Sequence, residues 1–213
     1  MPLFFENSMP HDGVLGLWRI DEKEDYFRAK LVLTDEEQIQ LDEIKGEGRR
    51  IQWLAVRYLL HHLSGRPKRT ELAKDEHGKP YLPDSEYFIS ISHSHEMAAV
   101  LAAKVPCGVD IQYPVSKIER LVPRFCSSEE QAVITQPHAL SIMHVIWGLK
   151  ECIYKAYGLR EVDYREHINI RAADTLLTTP GIGTLTKDNF TRTYDLNAEI
   201  VIDYILTYCF EKQ

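Results

Sequence analysis

The sequence lacks the features that mark secreted, membrane-spanning and zinc-binding proteins. No stretch approaches the roughly 20 apolar residues that a membrane-spanning helix needs, and residues 1–13 contain neither a basic segment nor a long apolar one. The four cysteines, at positions 107, 126, 152 and 209, are scattered without C-x-x-C spacing, so neither a zinc site nor a disulfide framework is expected. These absences predict a cytoplasmic, soluble protein with reduced thiols.

Positive charge is also scarce. Lys and Arg total 25 against 32 Asp and Glu, which gives a formal net charge of −7. Nucleic-acid scaffolds need an excess of basic residues to bind phosphates, so that class is excluded, although a local basic pocket for a small phosphorylated ligand is not. The 213 residues, 44% apolar and 27% charged, suit one large soluble domain or two small ones.

No low-complexity linker divides the chain, but an internal repeat does. The segment TDEEQ from Thr34 resembles SSEEQ from Ser127, and each has Glu three positions after a hydroxyl residue, as in a helix-capping box. The apolar helical pattern that follows ends at Gly65 or Gly158, at equal distances from these starts. The alternative to a duplication is a chance echo of five residues.

The repeat predicts an α+β fold made of two similar halves, residues 1–106 and 107–213. A pseudo-twofold axis would relate the halves, with the ligand site in the cleft between them. Strands are expected at residues 14–20, 88–92, 98–103 and 105–111, because these segments are alternating or wholly apolar. Residues 164–210 have a mostly strand-like pattern, with a turn at Pro180-Gly181.

One helical segment, residues 141–158, carries the most chemical information. Its apolar residues fall on one face, and the opposite face gathers Trp147, Lys150, Glu151, Tyr154 and Lys155. A solvated face with a Glu–Lys pair at i, i+4 spacing is the simplest interpretation. Two large aromatic residues beside those charges instead favour an interface or the wall of a pocket.

A strand with an acidic residue lies about forty residues upstream, in the sequence GVDIQ at 108–112. Asp110 and Gln112 point to the same side of this strand because side chains alternate. An Asp with an oxygen-bearing neighbour can hold Mg²⁺, which takes one or two carboxylates and completes its shell with water and phosphate oxygens. A turn or cap role is the alternative for Asp110.

Two further clusters have residue types that suit phosphate binding. Ser92 and His93 fall at a strand end in the segment SISHSH; the G-x-S-x-G motif of serine hydrolases is absent, and the histidines lack a third zinc ligand. Arg50 and Arg57 share a helix face, and Lys79 occupies a turn-rich loop. A polar strand end and solvated basic residues are the alternatives.

Taken in order, these segments resemble the 4′-phosphopantetheinyl transferases of the two-domain, surfactin-synthetase-activating type. The most specific part is W-x-x-K-E-x-x-x-K at 147–155 together with G-V-D-I at 108–111. The paired arginines, G-K-P at 78–80, S-H-S at 92–94 and Phe125 to Glu130 complete a series that spans about residues 45–160. The resemblance implies a monomer of two α+β halves with coenzyme A and Mg²⁺ between them. It also implies transfer of 4′-phosphopantetheine from coenzyme A to a serine of an apo acyl or peptidyl carrier protein, releasing adenosine 3′,5′-bisphosphate.

The resemblance further implies a role for each matched residue. Asp110 and Glu151 would hold Mg²⁺ beside the coenzyme A pyrophosphate, with Gln112 as a further ligand, or Glu130 in its place. Glu151 would also take the proton of the carrier serine, and Lys155 would stabilise the departing phosphate. The remaining contacts to the nucleotide phosphates would come from Arg50, Arg57, Lys79, Ser92, His93 and Lys150.

Two positions depart from the family pattern. Gln112 stands where many relatives have an acid, and Gly148 stands inside a helix where many have Ser, Thr or Ala; a glycine there costs roughly 1 kcal/mol against Ala. Two other functions use the same residues: a non-catalytic module that binds carrier proteins, and an unrelated Mg²⁺-dependent phosphohydrolase. Intact Asp110, Glu151 and Lys155 argue against the first, and the ordered series of motifs argues against the second.

Overall fold

Each half of the chain folds around one antiparallel sheet. The computed structural model describes residues 3–83, 85–159, 161–171 and 181–213. It divides into a first unit, Met1–Lys104, and a second unit, Val105–Gln213. No helix in the described part of the chain combines the length and the apolar character needed to cross a membrane.

The first unit contains three helices and a six-stranded sheet whose order is β1-β2-β6-β5-β4-β3. The strands are β1 (Leu3–Met9), β2 (Gly13–Arg19), β3 (Ala73–Lys74), β4 (Pro80–Tyr81), β5 (Phe88–Ser94) and β6 (Met97–Ala103). The helices are α1 (Glu24–Lys30), α2 (Asp35–Glu43) and α3 (Glu47–Ser64). Strand β6 is buried along its whole length, as its wholly apolar sequence predicts.

The second unit contains a five-stranded sheet whose order is β7-β11-β10-β9-β8. The strands are β7 (Cys107–Gln112), β8 (Ile168–Arg171), β9 (Gly181–Lys187), β10 (Phe190–Val201) and β11 (Tyr204–Glu211). A 3₁₀ helix (Ser116–Arg120) precedes α4 (Val122–Phe125), α5 (Ser128–Ala132) and α6 (Ala139–Tyr157). The strand-like tail is confirmed by β8 to β11, whereas Pro180 of the predicted turn lies outside the described residues.

The two units share a strand order once β1 is set aside. In chain order, the five strands β2 to β6 and the five strands β7 to β11 occupy matching places, and every pair is antiparallel. The long helix of each unit packs on the matching strands: α3 contacts β2 and β6, and α6 contacts β7 and β11. Mixed α and β structure with two sheets is therefore confirmed.

Local signals in the sequence set the helix boundaries. The Thr34 and Ser127 side chains each accept a hydrogen bond from the backbone N–H three residues on. The side chain of the Glu at that position accepts one from the backbone N–H of the cap residue, so both predicted capping boxes are present. Gly65 and Gly158 end α3 and α6 in the left-handed conformation, which glycine adopts without steric cost. Each predicted helical segment is interrupted, because α2 precedes α3 and α5 precedes α6 as separate helices.

Each unit has its own hydrophobic core beneath its long helix. In the first unit, Leu54 and Leu59 of α3 pack with Phe27, Ile89 and Val100. The core of the second unit is built from α6 and its sheet, with members that include Ile146, Leu149, Cys152, Phe125 and Leu185. These helices are thus held by burial of an apolar face, which leaves their other faces for polar residues.

Candidate functional site

The second unit brings β7 and α6 unusually close together at Gly108. A Cβ atom at Gly108 would lie 1.9 Å from the backbone oxygen of Cys152. Only a residue without a side chain fits there, so the helix backbone lies directly against the strand. The side chains that follow Cys152 on α6 consequently lie beside those that follow Gly108 on β7.

This packing joins Lys155 of α6 to Asp110 of β7. Lys155 Nζ donates to Asp110 Oδ1 at 2.8 Å and to the backbone oxygen of Val109 at 2.9 Å. Asp110 is only 7% exposed. Burial alone would lower the pKa of Lys155, but the charge of Asp110, the hydrogen bond to it and the other nearby negative groups together outweigh burial and hold that pKa above its usual value. Lys155 is therefore a fixed cation at neutral pH.

Glu151, one helical turn before Lys155, is partly buried and held by Tyr164. The Tyr164 hydroxyl donates to Glu151 Oε1 at 2.9 Å. Burial raises the pKa of Glu151, and the neighbouring charge of Asp110 adds to that effect, while Lys155 and Tyr164 oppose it. A carboxylate with a raised pKa is a better proton acceptor than an exposed one.

Aromatic rings form the wall beside Glu151. The Tyr164 ring lies 5.5 Å from Trp147 and 5.4 Å from Tyr154, and Trp147 also contacts Phe125 at 5.1 Å, measured between centroids. Of the two aromatic residues on this helix face, Tyr154 lines a pocket wall, whereas Trp147 packs between Tyr164 and the hydrophobic core. An open pocket of about 630 Å³ adjoins this wall, lined by Glu151, Tyr154, Glu161, Val162, Asp163, Tyr164 and His167.

Gln112 lies beside Asp110 but turns its amide nitrogen, not its oxygen, toward the acid. Gln112 Nε2 donates to Asp110 Oδ2 at 2.6 Å, and Gln112 Oε1 lies 2.8 Å from His144 Nδ1. The expected metal ligand is the amide oxygen, because only an oxygen can coordinate Mg²⁺. In this structure that oxygen is engaged by His144, and coordination of a metal by Gln112 stays a prediction.

Lys150 and Glu130 form a buried ion pair away from the pocket. Lys150 is 0% exposed, and its Nζ lies 2.7 Å from Glu130 Oε2 and donates to the backbone oxygens of Tyr164 and Ile168, each at 2.8 Å. The Glu130 carboxylate also accepts from the backbone N–H groups of Ser127 and Ile170. All donors of Lys150 are thereby used, so the expected contact of Lys150 with nucleotide phosphates is replaced by a structural one. Glu130 is engaged by the same ion pair, and its place in a metal shell stays a prediction.

The same correction applies to Arg57 in the first unit. Arg57 is 3% exposed, its Nε lies 3.2 Å from Glu37 Oε1, and its guanidinium stacks 3.1 Å from the centre of the Trp53 ring. Burial lowers the pKa of Arg57 to about 10, so it stays charged at neutral pH. Arg57 is therefore an internal ion-pair partner rather than a solvated phosphate contact.

The other expected phosphate contacts are spread over the first unit. Arg50 on α3 pairs with Glu24 of α1 at 2.9 Å and is partly exposed. Ser92, which is buried, and His93, which is exposed, are neighbours on β5. Lys79 precedes β4, with its Nζ 5.6 Å from the centre of the Phe88 ring. Their binding of coenzyme A stays a prediction.

Two residues of the site carried no recognisable sequence signal. His144 falls among the apolar residues of α6, where spacing alone suggests a core position, and Tyr164 follows the helix in a segment without periodicity. Their partners, Gln112 and Glu151, are 32 and 13 residues away. A Tyr or His that lies close to a predicted acid only after folding is invisible to local patterns.

The charges at this point fit a divalent cation. Asp110 and Glu151 are two neighbouring carboxylates that share one cation, Lys155, and the charge of one raises the pKa of the other. Mg²⁺ typically binds one or two carboxylates in addition to phosphate and water oxygens, so the donor set is suitable. Within the described ranges, no group of three or more His, Cys, Asp or Glu residues could hold a metal.

Comparison with known proteins gives a match for part of the chain. No curated protein matches the chain. A family model does match, over residues 106–209, a range that begins just before β7 and ends within β11 and that contains Asp110, Glu151 and Lys155. The matched model is that of the 4′-phosphopantetheinyl transferase superfamily, so residues 106–209 are similar to a domain of that superfamily.

Proposed function

We propose that the protein transfers 4′-phosphopantetheine from coenzyme A to a serine hydroxyl of an apo carrier protein. The observation that carries the proposal is the grouping of Asp110, Glu151 and Lys155 where α6 lies against β7, inside the matched domain. Phosphopantetheine transfer needs a proton acceptor for the serine and positive charge for the leaving phosphate. Glu151 and Lys155 are residues of those two kinds.

The reaction exchanges one phosphorus–oxygen bond for another. The serine Oγ attacks the β-phosphorus of coenzyme A, and the bond from that phosphorus to the bridging oxygen breaks. Adenosine 3′,5′-bisphosphate departs with the bonding electrons, and a phosphodiester joins phosphopantetheine to the serine. No oxidant or reductant is required, so the chain has only to position the reactants, move one proton and stabilise charge.

Glu151 is the residue assigned to the proton. A serine hydroxyl is a weak nucleophile until a base accepts its proton. Tyr164 holds one oxygen of Glu151, and the carboxylate faces an open pocket of about 630 Å³. Its raised pKa brings it closer to neutrality, where a general base works best.

Lys155 is assigned to the leaving group. Its ammonium is held by Asp110 and by the backbone oxygen of Val109, so it is oriented before any substrate binds. A preorganised cation stabilises the charge that develops on the departing phosphate without reorganising at the moment of reaction. Asp110 and Glu151 would hold Mg²⁺, which when bound would neutralise the pyrophosphate charge.

The remaining sequence-based assignments belong to this proposal. Arg50, Lys79, Ser92 and His93 would contact the nucleotide phosphates, while Arg57 and Lys150 are withdrawn because both are buried in ion pairs. A monomer in the cytoplasm, of the surfactin-synthetase-activating type, remains the expectation.

The test is intact-mass analysis of apo carrier proteins incubated with the protein, coenzyme A and Mg²⁺. We expect the carrier to gain one phosphopantetheine mass while adenosine 3′,5′-bisphosphate appears in equal amount, and EDTA to stop both. A carrier whose acceptor serine is replaced by Ala is the matched control. Release of inorganic phosphate without carrier would indicate a phosphohydrolase, and an unmodified panel of fatty-acid, polyketide, peptide-synthetase and aminoadipate carriers would contradict the transferase proposal.

A further inference from the structure

A buried histidine, His144, is linked to Asp110 by two hydrogen bonds through Gln112. His144 of α6 is 3% exposed. Its Nε2 lies 3.0 Å from the backbone nitrogen and 3.2 Å from the backbone oxygen of Val115, and its Nδ1 lies 2.8 Å from Gln112 Oε1. The Val115 contacts suit either tautomer, so the position of the ring proton is set by the Gln112 side of the ring. Burial lowers the pKa of His144, in agreement with a neutral ring.

The orientation of the Gln112 amide follows from its contact with Asp110. The Asp110 carboxylate can only accept, so Gln112 Nε2 donates to it at 2.6 Å. Gln112 Oε1 therefore faces His144 Nδ1 at 2.8 Å and requires the ring proton on that nitrogen. A flipped amide would set two oxygens against each other at Asp110, so the Asp110 end of Gln112 fixes both the amide orientation and the His144 tautomer.

Gly148 provides the space for this arrangement. A Cβ atom at Gly148 would lie 2.9 Å from Gln112 Nε2 and 2.6 Å from Oγ1 of Thr207, a residue that pairs with Asp110 in the sheet. His144 and Gly148 are one helical turn apart. His144 therefore contacts the amide oxygen of Gln112, and the missing side chain at Gly148 leaves space for the amide nitrogen. The two positions that depart from the family pattern, 112 and 148, are thus in direct contact.

We propose that His144 is a positioning residue that acts through Gln112 to orient the Asp110 carboxylate. Lys155 holds Asp110 Oδ1 and Gln112 holds Asp110 Oδ2, so the plane of the carboxylate is fixed from both sides. The inference rests on the proposed function for its consequence: Gln112 serves as a hydrogen-bond donor to the acid and not as a metal ligand. Gly148 is the residue that permits the donor to fit.

A pair of substitutions at His144 separates this role from simple packing. The Asn amide nitrogen can take the place of His Nδ1, whereas Leu fills similar space without a donor. Supporting groups of this kind typically contribute about 10- to 100-fold to metal affinity or activity. We expect His144→Leu to lower kcat and Mg²⁺ affinity in the presence of coenzyme A by about tenfold or more, and His144→Asn to restore most of both.

The double-substitution cycle with Gln112→Leu tests whether His144 acts through Gln112. If it does, His144→Leu has little further effect on Mg²⁺ affinity in the Gln112→Leu background, because the link is already broken. Additive losses would overturn the proposal, as would a His144→Asn protein no better than His144→Leu.

Nitrogen NMR of the wild-type protein provides a readout that does not need catalysis. We expect His144 to show a protonated Nδ1 and an unprotonated Nε2, with the resonance identified by its loss in His144→Asn. A proton on Nε2 would overturn the inference. The expected tautomer in a protein that modifies no carrier would leave the hydrogen-bond chain intact and reject the proposed function alone.

Discussion

Both units contain a buried ion pair between the glutamate of the capping box and a basic residue of the long helix. In the first unit Glu37 of the capping box pairs with Arg57 of α3, and in the second Glu130 of the capping box pairs with Lys150 of α6. Both acids and both bases are almost fully buried. A feature present in both units belongs to the framework of the fold.

The units differ at the positions that carry the chemistry. Where the second unit has Asp110 two positions after Gly108, the first unit has Trp18 two positions after Gly16, the glycine that faces α3. Where the second unit has Glu151, the repeat aligns Tyr58, whose ring packs edge-on against Trp18 at 5.0 Å. The position of Lys155 aligns with exposed His62. Comparison of the two units thus distinguishes the residues proposed for catalysis from those of the scaffold. Lys150 belongs to the scaffold and Lys155 to the proposed catalytic residues, although they are only five residues apart.

The largest effect is expected from removing the carboxylate that only the second unit has. Glu151→Gln keeps the shape and the contact to Tyr164 but removes the proton acceptor, so we expect the carrier-modification rate to fall by ~10²–10⁴-fold. Tyr58→Phe at the aligned position is the matched control and should retain activity. The rate is measured by intact mass, and a nearly active Glu151→Gln would assign the proton to another group.

Lys155 should show a catalytic defect without a comparable defect in binding. Lys155→Met removes a charge that acts on the leaving phosphate, so kcat and kcat/KM should fall together by about 10²- to 10³-fold. Steady-state kinetics with coenzyme A as the varied substrate checks this expectation. A loss confined to KM would make Lys155 an anchor for the substrate.

Lys150 and Arg57 should instead affect folding. Lys150→Met leaves Glu130 charged, buried and without its cation, so it should lower the free energy of unfolding by about 3–5 kcal/mol. Arg57→Met should cost less, because Arg69 still pairs with Glu37. Urea unfolding followed by tryptophan fluorescence measures the loss, with Lys155→Met as the comparison. If Lys150→Met were fully stable but inactive, the correspondence between the two ion pairs would fail.

Acid should weaken the pair of the first unit in a defined range of pH. Burial alone would raise the pKa of Glu37, but its bonds to Arg69, Thr34 and Arg57 outweigh that effect and hold it below the usual 4.5. The resulting stability is present above pH 4.5 and is lost as the pH falls through the lower folded-state pKa.

Glu37→Gln should therefore flatten the dependence of unfolding free energy on pH below 4.5. Glu36→Gln removes the same charge from an exposed position of the same helix and is the matched control. Urea unfolding across this range checks the slope. Equal slopes in wild type and Glu37→Gln would show that Arg69 and Arg57 do not stabilise the carboxylate.

Local patterns predicted the framework well because caps and periodicity act over a few residues. The capping boxes at Thr34 and Ser127, the terminal glycines and most strands follow from neighbouring residues. Lys150 was misplaced because a helical wheel shows only its angle, while Glu130, on a separate helix, draws it inside. The contact of the Gln112 oxygen with His144 was not predicted because the two residues are 32 apart in the sequence.

The contact at Gly108 lets α6 lie directly against β7 because residue 108 carries a hydrogen atom in place of a side chain. Any side chain there would meet the Cys152 backbone oxygen, which cannot rotate away, and would act as a wedge under the helix. Lys155 follows Cys152 on α6 and Asp110 follows Gly108 on β7. The added side chain would therefore increase the distance between Lys155 and Asp110 without altering either group chemically. Gly108→Ala should consequently behave like a loss of catalytic residues, although no charge or proton-carrying group has been altered.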